Sequence, residues 1–189
     1  MTPEDHANTV FFEYNDLGSV EAAVAEAGTD DIAAIVCTPH RHDVFRDQED
    51  VDPPFARGVR AICDRVGAAL VLDDVRCGLR IDPRGSWAPL GVDPDLSAWS
   101  KSLANGYPLA ALMGAEPFRE AAGRITATGS FWLAGAPIAA ALTTLRILKE
   151  TDGIETMRAS GRRRWICTSR RRDDVPIRGC AGSSSSVVP

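Results

Sequence analysis

Residues 68–74 read AALVLDD, five apolar residues in a row that end abruptly in two aspartates. The run has the length of a strand, and its continuous rather than alternating apolar character predicts a strand, Ala68 to Leu72, covered on both faces. A second run of the same kind, IAAIVC, occupies 32–37. Between the two, Phe55, Val59, Ile62 and Val66 recur at the spacing of one helical face. Strand, helix, strand is the signature of an α/β fold, here a mostly parallel sheet with helices on both faces.

The pattern extends in both directions. Upstream, Val20, Ala23, Val24 and Ala27 follow Ser19, a suitable N-cap, and precede Gly28, which predicts a short amphipathic helix over 19–28. Downstream, a turn-rich connection, IDPRGSWAPLGVDPD at 81–95, leads to short strands at Leu96–Trp99 and Leu109–Met113, with Asn105 and Gly106 marking the turn between them. A helix is predicted to begin near Glu116. A longer one spans Ile138–Glu150, with Ile138, Leu142, Leu145 and Leu148 on one side and Pro137 in its first turn. Helical pattern resumes briefly near Ile154. From Arg158 onward two arginine triplets and a serine run replace any apolar period, so the chain divides into a folded body at 1–157 and an Arg/Ser-rich, disordered tail at 158–189.

The composition suits one soluble domain: 189 residues, 44% hydrophobic and 25% charged. The formal charge of -5 hides an asymmetry, because the tail holds eight arginines against two aspartates, +6, and leaves -11 for the body. Five cysteines without a CxxC pair fit reduced thiols in a cytoplasm and argue against a disulfide framework or a zinc site. Glu4, Asp5 and His6 stand where a secretory signal would carry positive charge. Ile125–Leu145 runs 21 residues without a charge, the length of a membrane span, yet Gly129, Gly135, Pro137, four threonines and Ser130 interrupt it. Buried turns and a buried helix are the expected reading, with no membrane partner and a cytoplasmic location.

Chemistry is suggested first by the lysines. The chain has two, Lys101 and Lys149, against nineteen arginines. Lys149 closes a helix, where a cation is favourable. Lys101, in LSAWSKSLANGYPLAAL, follows a strand and has no other charge near it between Asp95 and Glu116. A desolvated amine can lose its proton and attack a carbonyl, which a guanidinium cannot. Composition alone leaves a functional role for Lys101 open. Asp73 and Asp74 end a strand, where open α/β sheets place ligand sites, but acids also end strands because the next loop is solvated. His40, Arg41, His42 and Asp43 form a polar cluster that reads as solvated surface rather than as a metal site.

Three segments, VLDDVRCGLR, GVDPDLSAWSKSLANGYPLAALMG and GSFWLAGAPIAAALTTL, resemble in order and spacing the cofactor region of class III, fold type I aminotransferases that use pyridoxal 5'-phosphate (PLP), nearest to the glutamate-1-semialdehyde aminomutases. The resemblance covers roughly residues 10 to 157. It implies that residues 1–157 are part of a PLP-dependent transferase large domain. It further implies that Lys101 is the catalytic residue and forms the Schiff base with PLP, that Asp73 keeps the pyridine nitrogen protonated, and that Val75 packs on the ring. Ser130 stands where the family has a threonine that binds the cofactor phosphate, often across a dimer interface. The implied substrate is a small-molecule amine or amino acid, and the implied assembly a homodimer.

The chain also departs from the family pattern. Cys37-Thr38-Pro39 replaces a Glu-Pro pair, Asp74 replaces the usual glutamate, and Arg76 stands where glutamine or methionine is common near the ring oxygen. By the same resemblance the upstream glycine-rich phosphate cradle, the aromatic cover of the ring and the small C-terminal domain are expected to be missing from residues 1–189. The chain is accordingly expected to be a truncated or frame-shifted aminotransferase or aminomutase fragment, weak or inactive alone. The alternative is a catalytically dead fragment that only binds partners, or nucleic acid through Arg162–Arg164 and Arg170–Arg172; phosphate neutralisation by arginines is its sole support.

Overall fold

The structure is a computed structural model that describes residues 2–3, 7–42, 48–125, 129–130 and 132–161. Helix α1 (Leu17–Ala27) leads into strand β1 (Ala34–Cys37), followed by a two-stranded antiparallel pair, β2 (His40–Arg41) and β3 (Glu49–Asp50). Helix α2 (Pro53–Val66) then feeds β4 (Ala69–Asp73). After a long connection come β5 (Leu96–Trp99), β6 (Ala111–Gly114), α3 (Arg119–Arg124) and α4 (Gly135–Glu150). The main sheet has the order β1-β4-β5-β6, with the first three strands parallel and β6 antiparallel at the edge. The predicted α/β class and strand-helix-strand unit are both present.

The core lies on one face of the sheet. Ile35, Cys37, Leu70 and Leu72 point to the side covered by α1 and α2, where Val20, Val24, Phe55, Val59 and Ile62 meet them. Gly58 lets the two helices approach closely, since a Cβ there would sit 2.5 Å from Leu17 Cδ1. Trp87, fully buried, closes the core from the β4–β5 connection and donates its indole N–H to Pro39 O at 3.2 Å. Removing so large a buried side chain costs about 3–5 kcal/mol.

The opposite face is more open. Strand alternation places Val36, Asp73 and Leu112 there, and Val36 and Leu112 are 60% and 63% exposed. Ala69 is buried on this face, and Leu96 and Leu112 line a cavity together with Phe118 and Ala122, so among the described residues the face is covered in part. Continuous apolar strands show that both faces suit burial, and they do not say which residues supply the cover. The same holds for α4, whose Ile138, Leu142 and Leu145 are exposed while Pro137 and Ala141 are buried.

Several boundaries move for local reasons. Helix α1 starts at Leu17 because Asp16, not Ser19, is its cap: Asp16 Oδ1 accepts the Ser19 N–H at 3.1 Å, and Ser19 Oγ accepts the Glu13 N–H. The first strand begins at Ala34 rather than Ile32, and β6 at Ala111 rather than Leu109. The helix predicted near Glu116 opens as a 3-10 turn, Glu116–Phe118, and becomes α3. The last helix covers 153–161, past the predicted break at Arg158, where Arg158 pairs with Glu155 and donates to Ile81 O. The rest of the tail, with both arginine triplets, lies outside the described residues.

Candidate active site

Strands β4 and β5 run parallel and deliver their carboxyl ends to the same edge of the sheet, the position at which open α/β sheets hold ligands. Asp73 is the last residue of β4 and lies opposite Ala98 in β5. It is half-buried, and its Oδ1 accepts the Val75 N–H at 3.1 Å, an Asx-type turn that steadies the carboxylate. Its second oxygen makes no hydrogen bond among the described residues. Val75 is half-buried in the same turn, and Arg76 beyond it is exposed.

Asp74, one residue on, turns into the interior and is 1% exposed. Its Oδ2 accepts the Ser86 N–H at 3.0 Å, and its Oδ1 accepts the Ser86 hydroxyl. Burial pushes its pKa upward, the Ser86 hydrogen bonds pull it partly back, and the charge of Asp73 raises it again. Two adjacent acids that look equivalent in sequence thus part: one faces the open side, the other clamps the β4–β5 connection.

Lys101 follows β5 after Ser100 and opens a 3-10 turn, Lys101–Leu103. Its φ of +45° is left-handed, a conformation that costs a non-glycine residue about 1–3 kcal/mol and is concentrated at functional sites. Its side chain is exposed and makes no hydrogen bond or ion pair among the described residues. The serines on either side are both engaged. Ser100 Oγ donates to Leu109 O at 2.8 Å, and Ser102 Oγ donates to Gly78 O at 2.6 Å. Sequence reasoning passed over this pair; the only signal was two hydroxyls flanking the one lysine without a helical explanation.

Gly78 packs so tightly that an added Cβ would meet the Trp99 ring at 2.6 Å and Asp74 O at 2.7 Å. Ser130 sits in an exposed turn before α4, and no described contact joins it to Asp73 or Lys101. Helix α4 itself rests on the Lys101–Leu103 turn. His40 and His42 lie half-buried at the β2–β3 pair rather than in an open loop: His40 Nδ1 is 2.9 Å from Asp50 Oδ1, and His42 Nδ1 is 2.7 Å from His40 O. Among the described residues no group of three or more His, Cys, Asp or Glu could hold a metal ion.

An acid with one oxygen, and an amine, that have no partner among the described residues, at the ends of two paired strands, suit a ligand with a protonatable ring nitrogen and a reactive carbonyl carbon. The fold is that of the PLP-dependent transferases. The chain superposes on the PLP-bound FumI protein of Sphingopyxis sp. MTA144 with a TM-score of 0.81 and 47% identity, over 85% of this chain and 39% of that one. It also superposes on an omega-transaminase from Sphaerobacter thermophilus with a TM-score of 0.68 and 28% identity, over 78% and 34% of the two chains. The family model for class-III aminotransferases matches residues 7–163, and the chain belongs to that family. It is 49% identical to an aminopentol aminotransferase of Sphingopyxis macrogoltabida over 83% of its length and 37% of that protein's. It is 34% identical to a glutamate-1-semialdehyde 2,1-aminomutase of Bordetella avium over 86% and 38%. The chain thus spans less than two fifths of the length of these curated relatives. Among the described residues no helix is long and apolar enough to cross a membrane.

Proposed function

We propose that this chain carries the cofactor-anchoring half of a PLP-dependent amino-transfer site, with Lys101 as the anchoring amine and Asp73 as the partner of the pyridine nitrogen. The observation that supports it is the pairing of two strand ends, β4 ending on Asp73 and β5 leading to Lys101, each presenting a functional group with hydrogen-bonding capacity unused among the described residues. When bound, PLP supplies an electron sink for the charge left as a proton leaves the carbon bearing the amino group. The Asp73 carboxylate keeps a proton on the ring nitrogen through a charge-assisted hydrogen bond, a type worth about 1.5–3 kcal/mol. Lys101 anchors the cofactor, and its amine, when free, accepts and returns a proton at the reacting carbon. Val75 packs against the ring face.

Ser130 donates its hydroxyl to the cofactor phosphate, and its exposure suits delivery to a second copy of the chain in a homodimer. The substrate is a small-molecule amine or amino acid, as the names of the aminotransferase and aminomutase relatives indicate for those proteins. A cytoplasmic location accords with the three free buried thiols of Cys37, Cys63 and Cys77. The test is reduction of the purified 189-residue chain with borohydride in the presence of PLP, followed by peptide mass mapping. Label confined to Lys101 and absent from Lys101→Ala supports the assignment. Label spread equally over Lys101, Lys149 and the amino terminus overturns it, as does the absence of label.

A further inference from the structure

The ladder between β4 and β5 ends at the Asp73–Ala98 pair, so beyond it the two arms of the proposed site leave the sheet separately. One hydrogen bond among the described residues crosses between them there, from Ser102 Oγ to Gly78 O at 2.6 Å. Gly78 is a firm point of attachment. Its N–H donates to Asp74 O at 2.8 Å, its Cα lies against the Trp99 ring, and Asp74 is in turn clamped by Ser86. On the far side of Lys101, Ser100 Oγ holds the chain to Leu109 O. A lysine in the left-handed region stays there only if its neighbours over-determine its position, and these two serines bracket it.

We infer that Ser102 is a positioning residue, whose hydroxyl ties the Lys101 turn to Gly78 and so holds the Lys101 arm in fixed relation to the Asp73 arm. The inference rests on the reading of Lys101 and Asp73 given above for its chemistry, but the tie itself is open to a test without cofactor. Amide hydrogen exchange of the 189-residue chain is compared for wild type, Ser102→Ala and Ser102→Thr. Loss of the tie in Ser102→Ala speeds exchange on both arms, at Gly78 and Arg80 as well as at Leu103 and Asn105, by on the order of five- to tenfold, and Ser102→Thr restores protection. The Leu72 amide, inside the strand ladder, and the Leu70 amide, held by Asp95 Oδ2, stay unchanged and report that the variant is folded. Acceleration confined to Leu103 and Asn105, or none, overturns the inference.

The second arm of the experiment repeats the borohydride trapping. A fall of several-fold in Lys101 label for Ser102→Ala, recovered in Ser102→Thr, supports positioning of the anchor; equal label in wild type and Ser102→Ala overturns it. Wild type without Lys101 label overturns the cofactor reading instead, and the exchange result then decides the tie by itself.

Discussion

Ser86 donates its backbone N–H to Asp74 Oδ2 across 3.0 Å and its hydroxyl to the other carboxylate oxygen, both within the protein interior. A carboxylate so enclosed loses its water, and two hydrogen bonds only partly replace it. The pKa of Asp74 accordingly rises above the ordinary 3.8. Between 3.8 and the raised value the folded chain binds more protons than the unfolded one, so stability falls as pH rises through that interval. Asp74→Asn keeps an acceptor for Ser86 and has nothing to titrate at that position, so wild type should lose stability relative to the variant as pH rises through the same interval. Denaturant midpoints of the two proteins between pH 4 and 7 check this; wild type gaining on the variant as pH rises would contradict it.

Asp95 joins three elements at the opposite end of the sheet. Its Oδ2 accepts Arg60 Nη1 and the Leu70 N–H, both at 2.7 Å, and its backbone pairs with Leu70 O and the Ala115 N–H. Asp95→Ala leaves the Leu70 amide and the Arg60 guanidinium without that acceptor, and should cost about 1.5–3 kcal/mol. Arg60→Ala removes one donor only and should cost less. Urea titration of both variants distinguishes a rivet from a surface ion pair, for which Asp95→Ala would lose less than about 1 kcal/mol.

Lys101 occupies a left-handed conformation that glycine adopts without penalty. Lys101→Gly should therefore fold at least as stably as wild type, with a gain of up to about 1 kcal/mol, while losing all pyridoxyl label at that position. Lys101→Ala loses the label without the gain. Thermal melting of the three proteins side by side is the measurement, and a Lys101→Gly variant markedly less stable than Lys101→Ala would show that the left-handed turn carries no strain.

Burial pushes the Cys37 thiol up to about 12 and the Cys63 thiol up to about 11, with the neighbouring Cys63 adding to the shift at Cys37 and Arg60 opposing it at Cys63. Neither forms thiolate near neutrality, and both belong to the core. Iodoacetamide at pH 8 should leave Cys37 and Cys63 unmodified in the native chain and modify both in urea. Peptide mass mapping reads the result, and native modification at the unfolded rate would mean that the α1–α2 layer opens readily.

The strand-helix-strand unit was legible because each apolar run and each helical face is local: burial on one side leaves its period within a dozen residues of chain. Asp73, Val75 and Lys101 were legible as candidates through the order of three segments around one lysine. The resemblance singled out Asp73, but the inward turn of Asp74 was not legible, because it depends on strand alternation and on a serine twelve residues away. The capping of α1 by Asp16 was missed for a smaller reason, since Asp16 and Ser19 are both good caps and only the backbone shows which of them precedes the first helical turn.

By itself the amino-acid sequence determined the α/β class and the order of strands and helices, since these depend on residue type and short-range spacing, while the acid and amine of the proposed chemistry were marked only by the resemblance of three segments to a family. Tertiary structure alone decided that Val36 and Leu112 are exposed among the described residues, that Gly78 meets Trp99, and that Ser102 reaches Gly78 across 24 positions of chain. Such pairings depend on strand register and on the path of connections beyond the ladder, and one residue of slip would send every side chain to the other face.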